Sequence, residues 1–271
     1  WPSDATKWRA AAEAHDWTQV KHHPDAFATQ KDADPAARQT AEYQNAVLKA
    51  MKMSPEEMAI DFAHVTAADR QALVDLVRRK AAAFWVEGTP VTVLRYMQHD
   101  TVPTGPPCRV PPHKMKEADT QWVEDQIAQE VARGQLVRGH SPWGSPAFGA
   151  KDNEPERKQK PKRRLVVDYR QVNSRTLRAE YVTRRADDVK RERAGSVFLT
   201  MLDACKGFNQ VPNSERAKQM LAVTARSGTY LPECLTFGPH NGPQDFAYVI
   251  DRVFTQAGQD TERRFGTQWK A

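Results

Sequence analysis

The chain has 271 residues, of which 39% are hydrophobic and 27% charged, and its formal net charge at pH 7 is +6. These values exclude a wholly disordered chain and indicate one large globular domain or two modest ones. The sequence contains no apolar run long enough for a membrane span and no signal segment, so it predicts neither membrane insertion nor secretion. Three scattered cysteines exclude a disulfide framework and a Cys-x-x-Cys metal site. We therefore expect an intracellular reducing compartment, the cytoplasm or the nucleus.

The first third of the sequence predicts an arm followed by helices. Residues 1–34 carry three of the seven tryptophans, so we interpret them as an arm that docks onto another surface, such as a protein partner. A helical segment is expected over 35–88, beginning with a helix in 36–52. Ser54-Pro55-Glu56-Glu57 has the pattern of a capping box, and Thr66 is the expected N-cap of a further helix. The apolar stripe of that helix comprises Leu73, Leu76, Val77 and Phe84.

The sequence pattern changes in the middle of the chain, from helical segments to a Pro-rich segment and then to short β-like runs. Residues 89–112 contain six of the eighteen prolines, which predicts an extended connector. An amphipathic helix is expected over 114–133, with Gly134 as its C-terminal stop. Short β-like runs then alternate with helices, so 113–271 is expected to form an α+β or α/β domain. The apolar face of the amphipathic helix comprises Val123, Ile127 and Val131.

Positive charge is concentrated in one stretch. Residues 151–193 hold fifteen Lys and Arg against eight Asp and Glu, so the rest of the chain is close to neutral. A field of this kind attracts polyanions such as nucleic acid or nucleoside triphosphates. A solvated loop and helix face explains the same composition, and charge alone leaves both interpretations open.

One acidic residue, Asp203, ends an apolar strand-like run, VFLTML, at 197–202. A carboxylate in this position is suited to hold a metal ion in a cleft, although it is also a common way for a strand to end. Phe208, taken alone, favours a core position over a site role. The residues by themselves therefore leave both roles open.

Four motifs that follow one another between residues 141 and 254 favour the metal-site interpretation of Asp203. The chain resembles the reverse transcriptases of gypsy-type LTR retrotransposons and, less closely, retroviral polymerases. The upstream run Met97 to Thr101 also fits that family's approach to the fingers subdomain. The motifs are SPWGSPAFGAKD (141–152), RRLVVDYRQVNSRT (163–176), LTMLDACKGFNQ (199–210) and LTFGPHNGPQDFAYVIDRVF (235–254).

The resemblance implies a nucleotide site for RNA-directed DNA synthesis. Asp203 corresponds to the aspartate that binds both Mg²⁺ ions during nucleotidyl transfer, and it is the expected catalytic and metal-binding residue. Phe208 corresponds to the side chain under the sugar, which excludes a 2′-hydroxyl group. Phe237 and Gly238 are expected beside the nascent base pair. The implied partners are an RNA or DNA template-primer and a deoxynucleoside triphosphate.

Basic residues complete the implied site. Arg164, together with Lys162 or a neighbouring lysine, is expected to bind the incoming triphosphate. The residues expected to contact nucleic acid are Lys158, Lys160, Arg163 and Arg170.

The implied fold is α+β, with helical N-terminal segments followed by fingers and an incomplete palm on a mainly antiparallel sheet. The family's Tyr-x-Asp-Asp motif, which supplies the other metal-binding carboxylate, is not found in the 271 residues. Asp187-Asp188 lies in a polar helical segment before the motif that carries Asp203, and so does not replace it. With the missing initiating Met, this predicts a truncated and catalytically inactive fragment. Two alternatives remain: a recruited, non-catalytic docking subunit of a larger assembly, or a basic RNA-binding protein.

Overall fold

A computed structural model of the chain describes most residues between 37 and 265. Its compact units are a helical unit within Ala28–Val93 and a sheet unit within Leu94–Ala271. No helix in the described part of the chain is long and apolar enough to cross a membrane. The four-segment division expected from the sequence stays a prediction. The described ranges are 37–61, 64–89, 91–94, 97–151, 163–179, 185–192, 194–195 and 203–265.

The helical unit begins its helices where the sequence places polar caps. The backbone N–H of Ser54 donates to Oε2 of Glu57 at 3.3 Å, and the N–H of Glu57 donates to Oγ of Ser54 at 3.2 Å. This reciprocal pair confirms the capping box. Oγ1 of Thr66 accepts from the N–H of Asp69 at 3.2 Å, which confirms the second cap. The helices are α1 (Ala41–Ala50), α2 (Pro55–Asp61) and α3 (Ala67–Arg79).

One part of the expected stripe on α3 is wrong. Val77 is buried, and Leu73 packs against the same cluster, but 45% of Leu76 is exposed. Leu73 and Val77 are four residues apart and share one helix face, whereas Leu76 lies at the edge of that face. The buried core of the unit comprises Val47, Leu48, Met53, Met58, Val77 and Ala81.

A five-stranded sheet forms the centre of the sheet unit, in the order β1-β5-β4-β2-β3. The β1–β5, β4–β5 and β2–β3 pairs are antiparallel, and β2–β4 is parallel. The mainly antiparallel α+β fold is therefore confirmed. The strands are β1 (Leu136–Arg138), β2 (Ser145–Lys151), β3 (Arg163–Val167), β4 (Val223–Ala225) and β5 (Gly228–Pro232).

Helix α4 (Glu117–Ala132) packs on this sheet through Val123 and Ile127. Gly134 ends the helix in a left-handed conformation, φ +72°, and the N–H of Gln135 donates to the carbonyl of Glu130 at 2.9 Å. This geometry is a Schellman motif, so the expected stop is confirmed. The expected burial of Val131 is wrong, because 39% of it is exposed in the last turn of the helix.

Four further α-helices follow in the described part of the chain, and the described residues of the Pro-rich connector form no helix. The connector makes isolated bridges to the sheet unit, including His99 to Asn213 and Arg109 to Gly144. The run expected to form a strand over 197–202 lies outside the described residues. The helices are α5 (Arg170–Asn173), α6 (Ala186–Glu192), α7 (Glu215–Met220) and α8 (Gly242–Phe265).

Candidate functional site

Two aromatic residues from separate motifs meet at the surface of the sheet unit. The ring centroids of Phe208 and Phe237 are 4.8 Å apart, with an angle of 34° between the planes. Phe246 supports the pair from α8, with its ring edge-on to Phe208 at 5.2 Å. Phe208 is half-buried, whereas 70% of Phe237 is exposed. The structure therefore brings together two predicted site residues and offers an aromatic face to solvent.

The loop that carries Phe237 requires a glycine at the next position. Gly238 has φ +113°, and a Cβ atom there would lie 3.1 Å from Cδ2 of Tyr169. Asn173 holds this loop from α5: its Nδ2 donates to the carbonyl of Gly238 at 2.9 Å, and its Oδ1 accepts from the N–H of His240 at 3.0 Å. Two hydrogen bonds and a close aromatic contact thus fix the backbone beside Phe237.

Tyr169 anchors the end of β3 beneath this loop. Its hydroxyl donates to the carbonyl of Leu221 at 3.0 Å and accepts from Oγ1 of Thr236 at 3.2 Å. Burial raises the pKa of the Tyr169 phenol, so the group is neutral at physiological pH. The Asn173 and Tyr169 contacts connect the strand that carries Arg164 to the loop that carries Phe237.

Asp203 is exposed and lies immediately before the turn that presents Phe208. Lys206 adopts a left-handed conformation, φ 48°, and the 3-10 turn Gly207–Gln210 follows. Burial raises the pKa of the nearby Cys205 thiol, and the charge of Asp203 adds to that rise. The Asp203 carboxylate therefore faces solvent, as a cation ligand must, and is not packed among apolar side chains.

The described residues contain no complete metal site. No group of three or more His, Cys, Asp or Glu side chains within them is arranged to hold a metal ion. Asp203 offers oxygen ligands of the kind that Mg²⁺ prefers, but nucleotidyl transfer by two metals needs further carboxylates. The donors on these residues fit one ligand of such a site and do not fit the whole site.

The predicted basic residues of β3 point to opposite faces. Ala150 pairs with Arg164 and Lys151 with Arg163, so alternation places Arg163 on the face towards α4 and Arg164 on the other face. Arg163 forms an ion pair with Asp119 at 2.7 Å and lies over the Trp122 ring at 5.8 Å. Arg164 is exposed.

Arg170 makes a two-point contact with the residue that follows β3. Its Nε and Nη2 donate to the carboxylate of Asp168 at 2.8 and 2.6 Å. These hydrogen bonds lower the pKa of Asp168 to about 2. Lys158, Lys160 and Lys162 lie outside the described residues, as do the Trp-bearing arm and the apolar run before Asp203, so their expected roles stay predictions.

Sequence reasoning missed a cleft next to Arg163 and Arg170. Its volume is about 500 Å³, and His113 lies edge-on to Phe148 inside it with a ring distance of 5.7 Å. The alternation of β2 in the PAFGA run was the signal that an aromatic side chain faces outward there. The lining includes His113, Trp122, Phe148, Arg163, Asp168 and Arg170.

A hydrogen bond between a buried histidine and an aspartate was also missed. His99 is fully buried, and its Nδ1 lies 2.5 Å from Oδ2 of Asp245. The two residues are 146 positions apart, so no local pattern connects them. The only signal was that His99 belongs to the upstream run that carried the family resemblance.

Comparisons with known proteins show which sequences and folds the chain resembles. The chain is 27% identical over 131 residues to the retrovirus-related Pol polyprotein from transposon 297 of Drosophila melanogaster, which covers 48% of this chain and 12% of that protein. The chain's homologues include retrovirus-related Pol polyproteins and viral enzymatic polyproteins. This chain spans about an eighth of the length of the transposon 297 polyprotein. No protein-family profile matches.

Solved structures show the same fold. A crystal structure of the Prototype Foamy Virus protease-reverse transcriptase CSH mutant has a TM-score of 0.61 and 16% identity, covering 84% of this chain and 28% of that one. The foamy viral protease-reverse transcriptase in complex with an RNA/DNA hybrid has a TM-score of 0.57 and 15% identity, covering 79% of this chain and 27% of that one. The expected likeness to reverse transcriptases is confirmed at the level of the fold. A gypsy-type origin stays a prediction.

Proposed function

We propose that the sheet unit is the fingers and partial palm of a retroelement-derived reverse transcriptase, of the gypsy type, which binds a template-primer and a deoxynucleoside triphosphate. The contact between Phe208 and Phe237 carries this proposal. The two residues belong to motifs that the family resemblance assigns to one nucleotide site, and an exposed aromatic face is a stacking surface for a base or a floor for a sugar.

Each site residue has a separate role in this proposal. Phe208 lies beneath the sugar and excludes a 2′-hydroxyl group, and Phe237 packs against the base pair. Arg164, with Lys162, neutralises the triphosphate. Asp203 would hold one side of a Mg²⁺ ion, which would supply electrophilic assistance to phosphoryl transfer in a complete enzyme.

The template strand is proposed to run across the cleft that contains Phe148 and Trp122. Aromatic rings and guanidinium groups together are typical of surfaces that bind single-stranded nucleic acid. Arg163 and Arg170, the two described residues of the set expected to contact nucleic acid, line this cleft. The foamy viral protein of the same fold was solved with an RNA/DNA hybrid, which supports nucleic acid as the partner.

We further propose that the 271-residue polypeptide binds its ligands without extending a primer. Two-metal transfer needs carboxylates on both sides of the reacting phosphate, and the motifs of this sequence supply Asp203 alone. A primer-extension assay with Mg²⁺ and all four dNTPs measures whether the polypeptide adds nucleotides to a primer. Extension that disappears in Asp203→Asn would contradict the proposal.

Equilibrium binding of a fluorescent primer-template and of a dNTP tests the proposed site. Phe237→Ala is expected to weaken dNTP binding about tenfold, since one stacked base contributes about 1–3 kcal/mol. Phe254→Ala is a matched control, because Phe254 is 63% exposed and lies two turns beyond Phe246 on α8. We expect this control to leave dNTP affinity unchanged.

Two results would contradict the proposed site. The first is equal binding of the dNTP by the wild type and by Phe237→Ala. The second is a primer-template affinity that falls steeply with salt but does not respond to Phe237→Ala or Arg164→Gln. That second result is typical of a basic RNA-binding protein with no nucleotide site.

A further inference from the structure

The connector carries a buried histidine to which the proposed function gives no role. No part of His99 is exposed. A proton on Nδ1 lets it donate to Oδ2 of Asp245, and Nε2 lies 3.1 Å from Oγ1 of Thr101. Its backbone is fixed as well, because its N–H donates to the carbonyl of Pro212 at 2.7 Å and its carbonyl accepts from Ser214 at 2.9 Å. The imidazole is therefore held in one position.

Asp245 links this histidine to the aromatic pair. It lies in the first turn of α8, immediately before Phe246. Phe246 is edge-on to Phe208 and so close to Gly207 that a Cβ atom on Gly207 would lie 2.5 Å from its Cζ. Any rotation of the first turn of α8 would therefore move the ring that supports Phe208.

The connector also holds the other side of the turn that carries Phe208. The N–H of Leu94 donates to the carbonyl of Gln210 at 2.7 Å. Met97 packs in one apolar cluster with Phe208 and Phe246. Through these contacts and the His99–Asp245 pair, the connector restrains both the turn that carries Phe208 and helix α8, which carries Phe246.

We propose that His99 is a positioning residue for Phe208, acting through Asp245 and Phe246, and thereby a determinant of the choice between deoxyribonucleotides and ribonucleotides. This inference rests on the proposed function. A steric floor discriminates by one hydroxyl group only while its ring is held to within about half an ångström, which is the tolerance of other built sites. His99 supplies that restraint without touching the nucleotide.

Two substitutions of His99 separate the restraint on Phe208 from an effect on overall stability, because each places an amide nitrogen where one ring nitrogen of histidine lies. The amide nitrogen of Asn occupies the place of Nδ1, so His99→Asn retains a donor to Asp245. The amide of Gln reaches the place of Nε2, so His99→Gln loses that donor. We expect the ratio of dATP to ATP affinity to fall about tenfold in His99→Gln and to stay within about twofold of wild type in His99→Asn.

Asp245→Asn removes the charge at the other end of the pair and is expected to lower the same ratio. Asp251→Asn, an exposed carboxylate on the same helix, is its matched control and is expected to leave the ratio unchanged. The double variant of His99→Gln and Asp245→Asn is expected to lower the ratio of dATP to ATP affinity no further than the single variant with the lower ratio. Both substitutions remove the same interaction, so their effects should not add.

Amide hydrogen exchange without nucleotide gives a second readout. The N–H groups of Gly207 and Val211 close the turn around Phe208, and we expect both to exchange faster in His99→Gln than in His99→Asn. No binding of dATP by the wild type would contradict the proposed function. Binding with the same dATP-to-ATP ratio in wild type and in both His99→Gln and Asp245→Asn, or equal exchange in the two His99 variants, would overturn the role of His99.

Discussion

Gly207→Ala is expected to disturb the aromatic pair through a single methyl group. The new Cβ would lie 2.5 Å from Cζ and 2.8 Å from Cε2 of Phe246, which is closer than non-bonded carbon atoms approach. The ring must therefore move, and Phe246 is the ring that supports Phe208. Gly207 lies in a 3-10 turn, so the backbone itself accepts alanine and the effect is steric.

Two opposing contributions determine how much Gly207→Ala changes the free energy of unfolding. Overpacking of a filled site costs about 1–3 kcal/mol. Replacing glycine by alanine lowers the entropy of the unfolded chain and returns about 0.4–1 kcal/mol. We expect Gly207→Ala to lower the free energy of unfolding of the sheet unit by about 1–2 kcal/mol and to weaken dNTP binding.

Urea unfolding followed by circular dichroism, with dNTP binding in parallel, measures both effects. Gly105→Ala is the matched control, because a Cβ atom there would make only an ordinary contact, 3.7 Å from Cγ of Arg175. That variant is expected to be as stable as wild type or slightly more stable. Phe246→Leu in the Gly207→Ala background is expected to recover part of the lost stability. Equal midpoints for both glycine variants, or strictly additive effects of Gly207→Ala and Phe246→Leu, would refute the steric argument.

Two further predictions concern contacts outside the aromatic pair. Asp168 has a pKa of about 2 in the folded chain against an ordinary value of 3.8, so the stability that its contact with Arg170 provides is complete above pH 3.8 and is lost as the pH falls through about 2. Acid unfolding of wild type and Asp168→Asn should therefore differ above that range and converge below it; a constant difference would contradict the assignment. Ser54→Ala removes one half of the capping box and is expected to destabilise the helical unit by about 1 kcal/mol, measured by urea unfolding. Glu57→Gln, which keeps an acceptor for the Ser54 N–H, should cost less, and an equal cost would argue against the reciprocal cap.

Local features of the fold were predictable because their causes lie within a few residues. Capping by Ser54 and Thr66 and the stop at Gly134 each depend on one side chain or one φ angle. The structure confirms all three. The same reasoning failed for Leu76 and Val131, because the spacing of apolar residues shows which face they share but not how far the packing partner extends along the helix.

Strands β4 and β5 and helix α7 were not predicted, and their lengths explain why. Val223–Ala225 and Glu215–Met220 are too short for a hydrophobic period to show. Their stability comes from pairing and packing with distant parts of the chain. Tyr230 on β5, for example, packs in one core with Val123 of α4.

The aromatic pair was accessible from the sequence only through the order of motifs. Phe208 alone resembles a core residue, and nothing near it indicates Phe237. The supporting contacts from Phe246, Tyr169 and Asn173 depend on the fold and have no local signal. Gly238 was named for its place in a motif, whereas its physical reason is the positive φ and the Tyr169 ring beneath it.

Arg163 and Arg164 show why a count of basic residues does not define a binding surface. They are adjacent in the sequence, but β3 turns their side chains to opposite faces of the β2–β3 hairpin. Arg163 is already paired with Asp119 and rests on Trp122, so a phosphate group that approaches it must compete with an existing carboxylate. Arg164 lies on the other face of the hairpin and is exposed. These two adjacent arginines therefore divide between a cleft and an opposite face of the hairpin. A polyanion that meets both has to wrap around the hairpin, whereas a nucleotide needs only the face that carries Arg164.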